Sequence, residues 1–355
     1  YQSIKLENRK LLKNILIIST SGMGDTLWGT PAIRAIKKAL PQVEIDLILP
    51  PQWGDLFFGN KNIRRLISYR SQWYRQIIGL PKMLQSRYDH VLIFHANRNI
   101  SRILPWLRCK SILSHQYPDS IPGIPINQIV RFEKPVHGIL RRLGLLEKIK
   151  IPSNGTQMDL FLNDNDQAEA FLFLKKNHMT SKEFIYINAG GSSPYKQWPV
   201  DKLISLTKLI LQNTSLTIVL GGGPEAVDRV VLIEKQLDKQ RVTRATHLSL
   251  GINCALIAKA RMLISPDSGP MHIGFALKVP TISLFWSTGS QNTIRNELNG
   301  SKYCGPLEID KSLSTVLYGN FKGEKKEYGP GHLHLNPILV SEVLEKVLDF
   351  LKMRA

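Results

Sequence analysis

The chain has few cysteines. Its 355 residues contain three, Cys109, Cys254 and Cys304, and these lie far apart in the sequence. They show neither the close spacing of a metal-binding motif nor the dense framework of a disulfide-stapled secreted domain. The cysteine content therefore argues against a disulfide scaffold and predicts a protein of a reducing compartment, the cytoplasm.

Long apolar runs are also missing. No segment reaches the roughly 20 apolar residues that a membrane-spanning helix needs. Residues 1–13 are polar and do not form a basic-then-apolar leader. We therefore expect neither a transmembrane helix nor a signal segment. With 43% hydrophobic residues, a chain of this length is expected to bury the cores of two domains.

Acidic residues are scarce in the first half of the chain. Residues 1–150 hold 24 Lys and Arg against 9 Asp and Glu, a net charge of +15, and the remaining 23 basic and 19 acidic residues give +4. Aromatic residues stand among these basic ones, as Trp53 does near Arg64 and Trp106 near Arg98. A strongly basic first half suits an anionic partner or an anionic membrane surface. A bland basic surface is the alternative, and no motif supports nucleic-acid binding.

The first apolar strand runs into a glycine-rich turn that carries a carboxylate. Residues 15–18 are apolar, and Ser19-Thr20-Ser21-Gly22-Met23-Gly24-Asp25-Thr26 follows, ahead of a helix predicted at 30–40. Strand, turn and helix are typical of a nucleotide-binding fold, but the third glycine of GxGxxG is absent. Asp25 would repel a phosphate and suits the removal of a proton from a hydroxyl. We therefore predict that it is a general base.

A second polar turn follows a buried strand predicted at 262–265. It reads Asp267-Ser268-Gly269-Pro270-Met271-His272 and precedes an apolar helix predicted at 270–277. Ligands of open α/β sheets bind at the carboxyl ends of strands, and a helix N-terminus offers free N–H groups to a phosphate. An ordinary helix cap is the alternative, although capping does not require His272.

The order of elements predicts two doubly wound α/β domains. Strands are predicted at 15–18, 44–49, 90–94, 184–188, 216–220, 262–265 and 281–285, with further short strands after 110. Helices are predicted at 30–40, 72–86, 136–143, 163–176, 199–212, 225–237, 251–260, 270–277 and 337–353. The predicted organisation is a polar arm at 1–13, domains at 14–165 and 166–335, and a final helix at 336–355 that crosses back to the first domain.

The motifs, taken in order, resemble those of glycosyltransferase family 9, the ADP-heptose:lipopolysaccharide heptosyltransferases. The resemblance covers residues 14–350 and rests on SGMGDT with TPAIRAIKKALP, GGSSPYKQWPVDKL, LGGGPEA, LSLGINCALIAKARMLISPDSGPMH and the C-terminal helix. Each motif is weak alone, but their order and spacing are specific. The resemblance implies an α/β fold of the GT-B type, in which two Rossmann-like domains face a central cleft.

The resemblance also implies a donor site in the second domain. The residues implied to bind ADP-heptose are Ser192, Ser193, Lys196, Glu225, Leu248, Asp267, Ser268, Gly269 and His272. Lys196 would oppose the charge of the leaving diphosphate, because no Asp-x-Asp is placed for a metal and no cofactor is expected. Glu225 would bind the ribose, Leu248 would border the adenine and Asp267 would meet sugar hydroxyls. The alternatives are a surface role for Lys196, a helix-start carboxylate for Glu225 and a core role for His272.

The acceptor side would belong to the first domain. The residues assigned to it are Gly24, Asp25, Thr26, Arg64, His95 and Arg98. His95 stands at a predicted strand end, and a plain structural role is its alternative. The implied acceptor is an anionic glycolipid, Kdo-lipid A or a heptosylated lipopolysaccharide core.

The implied activity is the transfer of heptose from ADP-heptose to an acceptor hydroxyl with inversion, Asp25 acting as base. The implied location is the cytoplasm of a Gram-negative bacterium, with the basic first domain on the inner face of the inner membrane. Two rival classes stay open. One is another GT-B enzyme, either an epimerase or a transferase of a different nucleotide sugar. The other is a non-catalytic glycan-binding module.

Overall fold

The computed structural model describes residues 12–69, 85–96, 98–115, 124, 128–132, 136–238, 240–287, 313–320, 335 and 337–353. The chain divides into two compact units, Tyr1–Phe161 and Leu162–Ala355. The division lies just ahead of a helix at Asp164–Lys176, whereas the sequence placed it at 165/166, inside that helix. The helix packs against the helix Leu250–Lys259 of the second unit, so the two belong to the same unit.

The first unit is built on a six-stranded parallel sheet. Its strands are β1 (Asn14–Ser19), β2 (Glu44–Leu49), β3 (Arg65–Ser68), β4 (Tyr88–His95), β5 (Cys109–His115) and β6 (Ile129–Val130). Its helices are α1 (Met23–Leu27), α2 (Thr30–Ala39) and α3 (Gly138–Lys148), with 3₁₀ helices at Pro51–Leu56, Arg98–Arg102 and Leu104–Trp106. The strand order is β3-β2-β1-β4-β5-β6, which is the order of the Rossmann fold.

The second unit repeats this topology. Its strands are β7 (Phe184–Asn188), β8 (Thr217–Gly221), β9 (Val242–Arg244), β10 (Met262–Pro266), β11 (Thr281–Ser287) and β12 (Ser314–Asn320). Its helices are α4 (Asp164–Lys176), α5 (Val200–Asn213), α6 (Val227–Glu234), α7 (Leu250–Lys259), α8 (Gly269–Ala276) and α9 (Val340–Lys352), with 3₁₀ helices at Pro194–Lys196 and Pro224–Ala226. The strand order β12-β11-β10-β7-β8-β9 is again that of the Rossmann fold.

Burial follows from the parallel arrangement. Helices cover both faces of such sheets, so the central strands are apolar along their whole length. Residues 15–18 of β1 and 184–187 of β7 are buried in this way. Trp198 and Cys254 are also buried. The predicted α/β fold of two Rossmann-like domains is therefore confirmed.

The last helix, α9, packs within the second unit. It contacts α5 and β11 and buries Val343, Val347 and Phe350. Its predicted crossing to the first unit stays a prediction. Across the described residues, none of the helices is both long enough and apolar enough to cross a membrane.

Several elements differ from their predicted bounds. The helix predicted at 136–143 begins two residues later and runs on to Lys148. The helix predicted at 225–237 opens as a 3₁₀ turn at Pro224–Ala226 and ends at Glu234. The short strands β3 and β9 and the seven-residue strand β12 were not predicted. The helix predicted at 72–86 lies outside the described residues, apart from its last two positions.

Candidate functional site

Each sheet has one point where the strand order reverses. In the first unit it lies between β1 and β4, and in the second between β7 and β10. The loops that leave the carboxyl ends of such a pair diverge, and ligands of open α/β sheets bind in the crevice that results. The chain after β1 leads into α1, which carries Asp25, and His95 is the last residue of β4. The loops after β7 and β10 carry Lys196 and Asp267.

Lys196 and Asp267 meet at the switch point of the second unit. The Lys196 Nζ donates to Asp267 Oδ2 over 2.8 Å, and their side chains are 22% and 6% exposed. The backbone N–H of Asp267 donates to the Leu284 carbonyl over 3.0 Å, which fixes this turn to the neighbouring strand. The structure therefore places a partly exposed ammonium, held by a buried carboxylate, where an anionic ligand would bind.

Asn188, the last residue of β7, ties the loops of this crevice together. Its Nδ2 donates to Ser265 Oγ (3.0 Å) and Ser268 Oγ (2.8 Å), and its Oδ1 accepts from the Gly190 N–H over 3.1 Å. The Ser268 hydroxyl in turn donates to the Pro266 carbonyl over 3.1 Å. The hydroxyl proton of Ser268 is thus directed into the fold. Pro270 has no N–H and the Met271 N–H donates to the Ser268 carbonyl over 3.1 Å, so at the start of α8 the Gly269 N–H is the group placed to bind an anion.

Glycines make room for the carboxylate of Glu225. A Cβ on Gly190 would lie 2.4 Å from Glu225 Oε1, and a Cβ on Gly223 would lie 2.4 Å from Oε2. Gly222, which directly precedes Gly223, has a φ of +137°, which favours glycine. The exposed Glu225 carboxylate therefore rests on the loops after β7 and β8, where it can accept hydrogen bonds from ligand hydroxyls.

Arg229 on α6 braces the same loop from behind. Its Nε donates to the Ala189 carbonyl over 2.7 Å, and its Nη2 donates to the Trp198 carbonyl. Burial lowers the pKa of this guanidinium. Neither Arg229 nor Asn188 was singled out from the sequence, because their partners are backbone atoms and distant hydroxyls.

The remaining predicted donor residues lie around this crevice with different exposure. Ser192 is exposed, Ser193 and Leu248 are half-buried, and Gly269 begins α8. His272 is buried within α8, and its ring stands edge-on to Phe275 with centroids 6.2 Å apart. This environment matches the core role weighed for that residue.

In the first unit, Asp25 lies on α1, and its side chain is 28% exposed. The Nη2 of Arg142 donates to the Asp25 carbonyl over 2.9 Å and lies 3.4 Å from Oδ1. The turn before α1 is anchored by Trp53, whose Nε1 donates to the Ser21 carbonyl over 2.9 Å. Arg142 was not predicted, because it follows Asp25 by 117 residues and carries no local motif.

His95 ends β4 beside this turn. Its carbonyl accepts from the Thr20 N–H over 2.8 Å, and its Nδ1 has no hydrogen-bond partner among the described residues. Burial lowers the pKa of His95, and Arg142 and Arg141 add to that effect while Asp25 opposes it. His115 lies behind it on β5, where its Nε2 is 2.5 Å from the Phe94 carbonyl and burial lowers its pKa to about 3. Both imidazoles are therefore neutral at pH 7.

The other predicted acceptor-side residues are placed as follows. Gly24 lies on α1 beside Asp25, and the buried Thr26 hydroxyl closes the turn by donating to the Gly22 carbonyl over 2.9 Å. Arg98 begins the 3₁₀ helix that follows β4. The structure thus brings Gly24, Asp25, Thr26 and His95 to one edge of the sheet.

Arg64 lies at the opposite edge from Asp25. Its Nε and Nη2 donate to Asp46 over 2.8 and 2.6 Å, next to the amino ends of β2 and β3. Asp46 is fully buried and also accepts from Arg65 and from the Tyr88 hydroxyl. A buried carboxylate requires such partners. Arg64 therefore belongs to an internal ion-pair network, away from the acceptor-side group in which the sequence placed it.

No cluster of three His, Cys, Asp or Glu side chains that could hold a metal is found within the described ranges. Metal independence stays a prediction, as do the assigned roles of the site residues.

Comparisons with known proteins assign the family. The profile of glycosyltransferase family 9 (heptosyltransferase) matches residues 79–304, which is more than half of the chain. Lipopolysaccharide heptosyltransferase 1 of Campylobacter coli is 24% identical over 328 residues, 85% of this chain and 95% of that protein.

Solved structures agree in fold. The glycosyl transferase family 9 structure from Veillonella parvula has a TM-score of 0.80 at 20% identity and covers 96% of this chain and 98% of its own. The E. coli heptosyltransferase WaaC with ADP has a TM-score of 0.71 at 19% identity and covers 95% and 99%. On the extent of the profile match, the chain belongs to glycosyltransferase family 9, the heptosyltransferases, and is a glycosyltransferase.

Proposed function

We propose that this protein transfers heptose from ADP-heptose to a hydroxyl of a lipopolysaccharide core acceptor, and that Asp25 is the general base. The proposal rests on the charged groups that lie at the two switch points. One holds a carboxylate braced by a buried guanidinium, and the other holds an ammonium beside a helix N-terminus. These are the two groups that a displacement with a diphosphate leaving group requires.

The donor assignment is supported by the second unit. ADP was bound in the E. coli relative described above. Here Lys196 and the Gly269 N–H at the start of α8 would hold the diphosphate, Ser192 and Ser193 would approach it, and Glu225 would accept from the ribose hydroxyls. Leu248 would border the adenine. Asp267 would reach sugar hydroxyls with its remaining lone pairs while it holds Lys196.

The proposed reaction is a single displacement. The acceptor oxygen attacks the anomeric carbon from the face opposite ADP, and Asp25 takes the hydroxyl proton as the new C–O bond forms. The bond from the anomeric carbon to the diphosphate oxygen breaks, and its electron pair leaves on ADP. Lys196 and the α8 N-terminus stabilise that charge, so no metal is needed. The anomeric configuration is inverted.

The acceptor assignment is supported by charge. The first 150 residues carry a net charge of +15, which suits an anionic glycolipid and an acidic membrane surface. We propose that Gly24, Thr26, His95 and Arg98 line the acceptor side. We further propose that the enzyme works in the cytoplasm, at the inner face of the inner membrane.

The test is acceptor-dependent release of ADP from ADP-heptose, with Kdo-lipid A as the acceptor. The wild type is compared with Asp25→Asn and with Asp201→Asn, an exposed first-turn aspartate of α5. We expect Asp25→Asn to lower kcat by about 10²–10⁴-fold and Asp201→Asn to match the wild type.

Other results would redirect the assignment. Full activity of Asp25→Asn would reject the base. Release of ADP with no acceptor present, or turnover only with a uridine-linked sugar, would point to another GT-B enzyme. Binding of ADP-heptose without turnover on Kdo-lipid A or on heptosylated core would favour a glycan-binding module.

A further inference from the structure

We propose that Arg142 is a positioning residue of the transfer reaction, which fixes the helical turn of Asp25 and keeps its carboxylate oriented and ionised. This inference rests on the proposed role of Asp25 as the base. It assigns a role to a residue on α3. Neither the sequence motifs nor the binding of ligands at the carboxyl ends of strands connects this helix with catalysis.

The short helix α1 cannot fix Asp25 by itself. It has five residues, and its N-cap, Gly22, contributes no side-chain cap. A helix of this length has little stability of its own and depends on tertiary contacts. Arg142 provides one at the required place, since its Nη2 donates to the Asp25 carbonyl over 2.9 Å and approaches Oδ1 to 3.4 Å.

The guanidinium of Arg142 is itself held on several sides. Its Nη1 donates to the Gly138 carbonyl over 2.8 Å, one turn back on α3. Its Cζ lies 5.3 Å from the centroid of the Trp28 ring, a cation–π distance. Trp28 caps the C-terminus of α1, so the helix that carries Asp25 also supplies the surface on which Arg142 rests.

Gly138 permits this arrangement. A Cβ at that position would lie 2.2 Å from Cε3 of Trp28, so any other residue would displace the ring. The ring of His137 lies 5.3 Å from that of Trp28, centroid to centroid. The first turn of α3 and the guanidinium therefore both pack against the indole, and the guanidinium also contacts Asp25.

The burial of Arg142 makes its charge effective. Its side chain is 0% exposed, so solvent and salt screen its attraction for the Asp25 carboxylate only weakly. Other titratable or charged groups lie on the elements around α1, namely Arg141 on α3, His95 on β4, His115 on β5, His137 at the α3 cap and Asp55 on the 3₁₀ helix Pro51–Leu56. Because burial lowers the pKa of His95 and His115, neither adds positive charge near Asp25 at neutral pH.

The proposal is tested with Arg142→Met and Arg142→Lys, and with Trp28→Leu. The last variant keeps the Arg142 charge and removes the ring against which the guanidinium packs. Arg34→Met is the control, because Arg34 is a partly buried arginine of the first unit that pairs with Asp159, outside the α1 contact. The measurements are kcat/KM between pH 5 and 9, ADP affinity, which reports on the second unit, and the thermal midpoint.

We expect Arg142→Met to lower kcat/KM at neutral pH by about tenfold or more. We expect the acidic limb of its pH profile to move up by about one pH unit, because a lost positive charge favours the protonated carboxyl. Arg142→Lys should recover the position of the limb but only part of the rate. Trp28→Leu should lower kcat with the donor KM unchanged, and Arg34→Met should match the wild type in both.

The outcomes separate the two proposals. If Asp25→Asn stays active, the proposed function fails whatever Arg142 does. If Asp25→Asn is inactive while folded Arg142→Met keeps the wild-type rate and pH profile, the present inference alone is overturned. Should Arg142→Met fail to fold, wild-type rates and profiles for both Arg142→Lys and Trp28→Leu would overturn it equally.

Discussion

Lys196 and Asp267 form an ion pair at the switch point of the second sheet, with Nζ 2.8 Å from Oδ2. The carboxylate is the more buried partner, at 6% exposure against 22% for the lysine. The pair gives the proposed phosphate site a cation in a defined position but almost no net charge. A site built in this way holds a diphosphate less tightly than a lone lysine would, which favours the release of ADP.

We predict that Asp267→Asn tightens the binding of ADP. The amide oxygen of asparagine still accepts from Lys196, so the lysine stays in place while a negative charge next to the diphosphate is lost. ADP affinity should rise by about 3–10-fold, and turnover should fall because product leaves more slowly and a sugar contact is changed. Calorimetric titration with ADP measures the first effect. Weaker or unchanged ADP binding would contradict this account of the pair.

Lys196→Gln is the companion variant. It removes the cation and leaves the Asp267 charge in the site, so ADP affinity should fall by about tenfold or more. If both substitutions weakened ADP binding, the pair would be acting as a structural unit and not through its charge.

A second prediction concerns Gly190 and Glu225. Gly190→Ala would place a Cβ 2.4 Å from Glu225 Oε1, and the exposed side chain can move away at little cost to the fold. Its carboxylate would then leave the proposed ribose site. We expect ADP affinity to fall by about tenfold, as for the loss of a hydrogen bond to a charged group.

A double-mutant cycle isolates this effect. In a Glu225→Ala background, Gly190→Ala should cause little further loss of ADP affinity, because the side chain that it displaces is already gone. Gly54→Ala is the control, since its Cβ would make only an ordinary 3.5 Å contact with Phe58. Additive losses would mean that Gly190 serves the backbone of its loop and not Glu225.

A third prediction addresses Asn188. Replacement by Leu removes hydrogen bonds to Ser265, Ser268 and Gly190. It leaves the buried Gly190 N–H without its acceptor, whereas both serine hydroxyls still donate to the Pro266 carbonyl. We expect a loss of about 1–3 kcal/mol in the free energy of unfolding and a rise in the donor KM. Asn213→Ala is the control, because its side chain caps a carbonyl at the exposed end of α5. A stability loss without any change in donor KM would reduce Asn188 to a structural role.

The sequence predicts which residues lie at the carboxyl ends of the parallel strands. Parallel strands bring their carboxyl ends to one edge, so polar residues that follow an apolar run, such as Asp25 and Asp267, can be placed there from the pattern. Lys196 was assigned to the site only through the resemblance to the family. Pairings across the fold have no such signal. Arg142 lies 117 residues from Asp25, and Asn188 lies 77 and 80 residues from its two serines. Only the packing of α3 and β10 brings these groups together.

Charge counting did not indicate the environment of Arg64 for a related reason. A count of basic residues does not show which of them are neutralised inside the fold. Asp46 stands in the second apolar strand, and its burial draws Arg64 and Arg65 into ion pairs at the amino edge of the sheet. The strands β3 and β9 were missed because they have four and three residues, too few to show a pattern.

This placement predicts that Arg64 contributes to stability and not to catalysis. Arg64→Met removes hydrogen bonds to Asp46, while Arg65 and Tyr88 remain as its partners. We expect a loss of about 1–2 kcal/mol in the free energy of unfolding and wild-type values of kcat and of KM for both substrates. An increase in acceptor KM at unchanged stability would contradict this and support the acceptor-side role that the sequence predicted for Arg64.

The same network predicts how stability depends on pH. Burial by itself would raise the pKa of Asp46, but hydrogen bonds from Arg64, Arg65 and Tyr88 outweigh it and hold the pKa below the usual 3.8. The unfolded chain therefore binds a proton at this site before the folded chain does, and the free energy of unfolding falls as the pH drops through this range. The contribution is complete above about pH 4 and is lost as the pH falls through the folded-state pKa.

Asp46→Asn separates this contribution from other acid effects. Urea unfolding, followed by tryptophan fluorescence, should show the variant about 1–3 kcal/mol less stable than the wild type at pH 7. That difference should stay constant down to about pH 4 and shrink below it, because a protonated Asp46 resembles the amide. A difference that is the same at pH 7 and at pH 3 would show that Asp46 acts by shape and hydrogen bonding alone, without its charge.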